Sequence, residues 1–111
     1  MNIHDILTSD SVPAYISGSF AEEERHPDPV WIYTNMMTEN IYVDDFINAE
    51  LLHYTVAYYT TDPTNIREIV KAKVKELLKT NRFLIGGIVD IKTKNPDLFG
   101  LGFECQQLQP F

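Results

Sequence analysis

The chain predicts an α+β fold in a single domain: a mostly antiparallel or mixed sheet, one long amphipathic helix packed on one face, and a short N-terminal helix. Three observations carry this prediction. Stretches rich in β-branched and aromatic residues recur at 12–20, 30–37, 51–61, 88–93 and 98–106. Apolar residues return at helical spacing between Ile66 and Leu78. No repeat, low-complexity tract or Pro/Gly-rich linker divides the 111 residues, and 44% hydrophobic with 12% aromatic residues supplies a modest core.

In chain order, Ile3, Ile6 and Leu7 share one side of one or two helical turns over residues 2–8, with Asn2 as the cap. Val12 to Phe20 reads as a first strand, with Pro13 at its entry, where a missing donor is tolerated. The segment 21–29 is a polar loop whose two prolines resist helix and ladder alike. Val30 to Met37 is a second strand, placing Trp31, Tyr33 and Met37 on one face and Val30, Ile32 and Met36 on the other. Residues 38–50 carry Asn40, Asp44, Asp45 and Asn48, all poor strand formers, and read as a connector with an irregular turn at Asp44-Asp45.

Leu51 to Thr61 gives the clearest alternation, with Leu52, Tyr54, Val56 and Tyr58 on one face and His53, Thr55, Ala57 and Tyr59 on the other. Asp62-Pro63 has the form of a helix start, an acceptor at the cap followed by the residue suited to the first helical position. Ile66, Ile69, Val70, Val74, Leu77 and Leu78 then form an apolar stripe, opposite Lys71, Lys75, Lys79 and Arg82. Lys73 falls inside the stripe; it either snorkels or pairs with an acid of the sheet or of a neighbouring subunit. Gly86-Gly87 permits a bend before a hairpin, Ile88 to Thr93 and Leu98 to Gln106, that turns around Lys94-Asn95-Pro96-Asp97. In its second strand Phe99, Leu101, Phe103 and Cys105 share a face, while Gly100 and Gly102 on the other imply that something packs close, another chain being one option.

Charge is sorted along the chain. Residues 1–62 hold eleven acidic residues and one basic residue, a net −10; from Pro63 onward five acidic meet eight basic residues, a net +3, giving −7 in all. The two signs can pair within one domain or dock copies of the chain head to tail. A pI near 4.7 argues against gripping nucleic acid through its phosphates. The lone Cys105 excludes a disulfide framework within the chain and fits a reducing compartment. The first residues lack the features of a signal peptide, and no run approaches a membrane span, so a protein soluble in a cytoplasm, with no membrane partner, is expected.

No cluster reads as catalytic, and no cofactor is expected. His4, His26 and His53 are scattered and form no closely spaced metal pair. Glu22, Glu23, Glu24 and Asp28 offer oxygens for a hard cation, yet they lack alternating spacing and a loop glycine, so they read first as a solvated acidic loop. Asp44 and Asp45 are adjacent, so on an extended segment they point to opposite sides and cannot flank one bond. Ser9, Ser11, Ser17 and Ser19 have no nucleophile-elbow context, and Gly86-Gly87 lacks the spacing of a phosphate loop. Trp31 and Tyr59 are candidates for protein contacts, but a core role is the first reading of aromatic residues on this sheet.

The order of elements resembles the tail terminator, or tail completion, proteins of long-tailed bacteriophages. The most telling stretches are Val12-Pro13-Ala14-Tyr15, the passage from Asn40 to Thr61 that ends in Leu52-His53-Tyr54-Thr55-Val56-Ala57-Tyr58-Tyr59-Thr60-Thr61, and the helix followed by Phe83-Leu84-Ile85-Gly86-Gly87. The resemblance implies a structural virion protein: a homo-oligomer, a hexameric ring at the tail–head junction. Such a ring stops tube growth and offers its other face to a head completion or connector protein. Its partners are then the tail tube protein, the connector, and DNA passing through the lumen without specific binding, and neither catalysis nor a cofactor is implied. On charge, Lys71, Lys73, Lys75 and Lys79 would meet acids of the next copy, Asp44 and Asp45 among them, and an acidic lumen lined by Glu22, Glu23 and Glu24 or by Asp44 and Asp45 would let a duplex slide. The alternative is a small acidic phage-borne inhibitor or adaptor that binds a host nucleic-acid enzyme; the bunching of Glu22–Glu24 departs from the regular spacing of phosphates.

Overall fold

The computed structural model describes residues 3–9, 11–16, 28–43, 46–80, 83–93 and 96–110. Seven elements follow one another: α1 (Ile3–Leu7), β1 (Ala14–Ile16), β2 (Val30–Val43), β3 (Phe46–Thr60), α2 (Ile66–Leu78), β4 (Phe83–Ile91) and β5 (Phe99–Pro110). The strands form a mixed sheet in the order β1-β2-β3-β5-β4, with β1 parallel to β2 and every other pair antiparallel. β3 and β4 therefore run the same way; α2 carries the chain between them across one face, and β5 fills the gap.

The largest departure from the sequence reading is residues 38–50, expected as a connector. β2 and β3 instead continue through them as a hairpin of 14 and 15 residues, paired from Val30↔Tyr59 to Val43↔Phe46. Asn40 and its polar neighbours have weak strand propensity, but each finds a partner across the ladder, and pairing outweighs propensity. At about 3.3 Å per residue the hairpin spans about 46 Å, which accounts for the longest dimension of the molecule, 52 Å.

A register shift between Asn35 and Met37 makes Met36 the extra residue of a bulge. Alternation slips by one there. Trp31, Tyr33 and Asn35 keep one face, while Met37 turns to the opposite face beside His53, contrary to the expected grouping. A second bulge falls at Gly86-Gly87, because Ile85 pairs with Cys105 and Ile88 with Phe103. These glycines lie within β4, which starts at Phe83, instead of preceding the strand.

The core lies between the helices and one face of the sheet: Ile3, Ile6 and Leu7 from α1, Val70 and Leu77 from α2, and Trp31, Val56, Tyr58, Phe83, Leu101, Phe103 and Cys105 from the strands. Trp31 and Tyr58, register partners, stack tilted at 4.7 Å between ring centroids, so Trp31 is a core residue and not a contact surface. At the rim, Tyr33 packs edge-on to Tyr54 and its hydroxyl lies 3.2 Å from His4 Nδ1.

The expectation of one long amphipathic helix is not met. α2 has 13 residues, about 20 Å, and begins at Ile66, after Asn65 in a left-handed conformation with no side-chain cap. Asp62 makes a local turn instead of a helix cap: its Oδ1 accepts the Thr64 N–H at 3.0 Å, and Pro63 O accepts that of Ile66. That bond holds the Asp62 carboxyl below its ordinary pKa. The buried stripe is narrower than expected and is centred on Val70, Lys73 and Leu77, with Ile66 and Val74 half-buried; Ile69 and Leu78 stand on its borders, 39% and 47% exposed.

Candidate assembly surface

Lys73 settles how the helices are joined. It is only 1% exposed, so it does not snorkel. Its Nζ donates to Ile6 O at 2.9 Å, to Ser9 Oγ at 3.0 Å and to Glu76 Oε2 at 3.0 Å. Ile6 O belongs to the last turn of α1, where carbonyls have no helical partner. The ammonium thus caps α1 and pairs with an acid one turn along its own helix. A buried lysine needs such partners, because an unpaired charge in the interior is costly. Ser9 completes the cluster, 2.6 Å from Glu76 Oε1.

Lys71, Lys75 and Lys79 are exposed on the outer side of α2, as the sequence predicts. The ion pairs Lys73–Glu76 and Arg67–Asp90 (3.7 Å) both join residues of the second, basic stretch. Asp28, the one described member of the acidic loop, is engaged within the chain: its carboxylate accepts the Thr61 N–H at 3.1 Å and the Thr61 hydroxyl, latching the entry of β2 to the exit of β3. Glu22, Glu23, Glu24, Asp44 and Asp45 lie outside the described residues.

The face of the sheet opposite α2 is less covered. Gly100 and Gly102 lie on it, and the close packing they imply comes from the same chain. A Cβ at Gly100 would stand 3.0 Å from the Tyr59 ring, and one at Gly102 would stand 2.6 Å from Ile91 Cδ1 and 2.8 Å from Val56 O. Tyr59 therefore lies along its own sheet, and burial raises its pKa. Beyond this local cover the face opens into a hollow of about 430 Å³ whose lining includes Met36, Met37, His53, Leu84, Glu104 and Gln106.

His53 stands in the wall of that hollow. Gln106 Nε2 lies 3.1 Å from His53 Nδ1, and Glu39 Oε1 lies 2.6 Å from Nε2, though off the line of a directed hydrogen bond. With Gln106 donating to Nδ1, the ring proton sits on Nε2 and faces the carboxylate. One histidine and one nearby carboxylate do not make a metal site, and no group of three or more His, Cys, Asp or Glu side chains converges among the described residues. Nor is any helix among them long and apolar enough to cross a membrane.

The surface features that the sequence reading missed are the exposed apolar residues of two strands. Met36, Met37, Ile41 and Tyr42 are exposed along β2, and Leu84 and Val89 along β4; Met36 and Leu84 reach 64% and 66%. A signal was present: residues 34–43 and 83–91 contain no Lys, Arg or Pro, the residues that commonly protect strand edges. No protein-family model matches the chain, and no curated protein matches its sequence.

Proposed function

We propose that this chain is a ring-forming structural subunit that caps a phage tail tube and joins it to the head connector. The observation that carries the reading is the outer part of β2, along which Met36, Met37, Ile41 and Tyr42 are exposed. Grouped exposed apolar side chains on a soluble domain mark protein contacts. The resemblance in element order to tail terminator proteins supplies the assembly. Lys71, Lys75 and Lys79, exposed on α2, stand ready for acids of an adjoining copy or of the tail tube protein.

The test is the mass of the purified protein in solution at moderate salt, alone and with tail tube protein, followed by electron microscopy of the main species. Annuli of uniform size support the reading. A strict monomer under both conditions overturns it.

A further inference from the structure

Two edges of the sheet are open among the described residues. Among the described residues β1 pairs with β2 only at Trp31, Ile32 and Tyr33, and no described strand lies beside the outer edge of β2 over residues 34–43. At the far side β4 ends the sheet, and its outer edge is open from Phe83 to Ile91. An open edge is a row of unsatisfied backbone donors and acceptors that readily takes another strand.

We infer that the outer edge of β2 in one copy pairs antiparallel with the outer edge of β4 in a second copy, so that the sheet runs on from protomer to protomer. The inference rests on the ring-subunit reading and names its joint. The second copy is the fitting occupant because one chain carries both halves, of nearly equal length. β2, β3, β5 and β4 are four antiparallel strands, an even run, so a neighbour turned about an axis along the strands presents its β2 antiparallel to β4. Such a contact uses different surfaces on the two partners, which is the kind that generates rings.

Charge does not oppose the joint. Each edge carries one acid: Glu39 on β2, beside the His53 ring at 2.6 Å, and Asp90 on β4, which lies 3.7 Å from Arg67 of its own chain. The flanking side chains are apolar on both sides, Met36 and Tyr42 against Leu84 and Val89.

The register sets the geometry. Followed across the sheet, Thr38 is level with Phe83 through Leu52 and Gln107, and Val30 is level with Ile91 through Tyr59 and Gly100. Pairing the whole of β4 with residues 34–42 therefore slides the second copy by four residues, about 13 Å along the strands. Four strands are about 19 Å wide, so this slide corresponds to a strand tilt of about 35°, the value found in closed sheets. Met36 of one copy then falls opposite Val89 of the next.

The experiment compares three proteins by size-exclusion chromatography with light scattering, with circular dichroism as the check on folding. One variant blunts the first edge, Met36→Lys with Thr38→Lys; another blunts the second, Leu84→Lys with Val89→Lys. Wild type is expected to be a ring and each variant a monomer. An equimolar mixture of the two variants is expected to double in mass and stop there, because each supplies the edge that the other lacks. A third variant, Met36→Cys with Val89→Cys, is expected to give a ladder of disulfide-linked copies on a non-reducing gel. Rings from either lysine variant, a mixture that stays monomeric or grows beyond a dimer, or an assembled cysteine variant without a ladder overturns the joint and leaves the ring reading standing. A wild-type protein that remains monomeric overturns both.

Discussion

Removing Glu76 will destabilise this protein more than removing Lys73, although the two side chains form one ion pair. The asymmetry follows from burial: Lys73 is 1% exposed and Glu76 40%. Glu76→Ala removes the carboxylate that lies 3.0 Å from a buried ammonium, whose contacts with the Ile6 carbonyl and the Ser9 hydroxyl are to neutral groups. Breaking a buried pair in this way costs about 3–5 kcal/mol, and partial access of water to the Glu76 side of the cluster lowers the figure to about 2–3 kcal/mol. Lys73→Met keeps the stem volume and deletes the charge. The exposed carboxylate turns to solvent, and Ile6 O keeps the Ser9 hydroxyl at 2.9 Å, so the cost is about 1 kcal/mol. The double variant should match Lys73→Met alone, a non-additivity of about 2 kcal/mol. Urea unfolding followed through the single tryptophan, buried Trp31, measures all three. A Lys73→Met loss equal to or larger than that of Glu76→Ala, or additive losses in the double variant, would refute the reasoning.

Three further outcomes are expected. Gly102→Ala should lose about 1–3 kcal/mol on thermal unfolding, because its methyl meets the Val56 carbonyl at 2.8 Å as well as Ile91; Gly87→Ala, with open space around the new atom, should be neutral or gain about 0.5 kcal/mol. The Cys105 thiol, pushed up to about 12 by burial, should resist thiol reagents at pH 8 until urea unfolds the chain. Because that thiol keeps its proton longer in the folded than in the unfolded state, stability should be full below about pH 9 and fall as pH rises toward 12, by up to about 1.4 kcal/mol per unit, and Cys105→Ala should flatten the decline.

The elements with strong periodicity were legible from residue order. Leu52, Val56 and Tyr58 face the core as alternation predicts, and so do Leu101, Phe103 and Cys105. What escaped was set by tertiary partners. Nothing local says that residues 38–50 are strand, because their support comes from β3 and β5 across the ladder. The bulge at Met36 is equally invisible, and it reverses the face of Met37. Lys73 was recognised as anomalous within its stripe, but its partners Ile6 and Ser9 are more than sixty positions away, and only folding brings them together. The exposed lysines of α2 are legible from charge, whereas the strand edges left open among the described residues follow only from the strand order.

The glycines of β5 carry a consequence for how this domain can exist with helices on one side only. By giving up side chains at positions 100 and 102, the strand makes room for Tyr59 and Ile91 to recline against the backbone and shield it from water. The sheet roofs itself there with its own furniture, and no second helical layer is required. A small chain can in this way keep its opposite side free of permanent tenants.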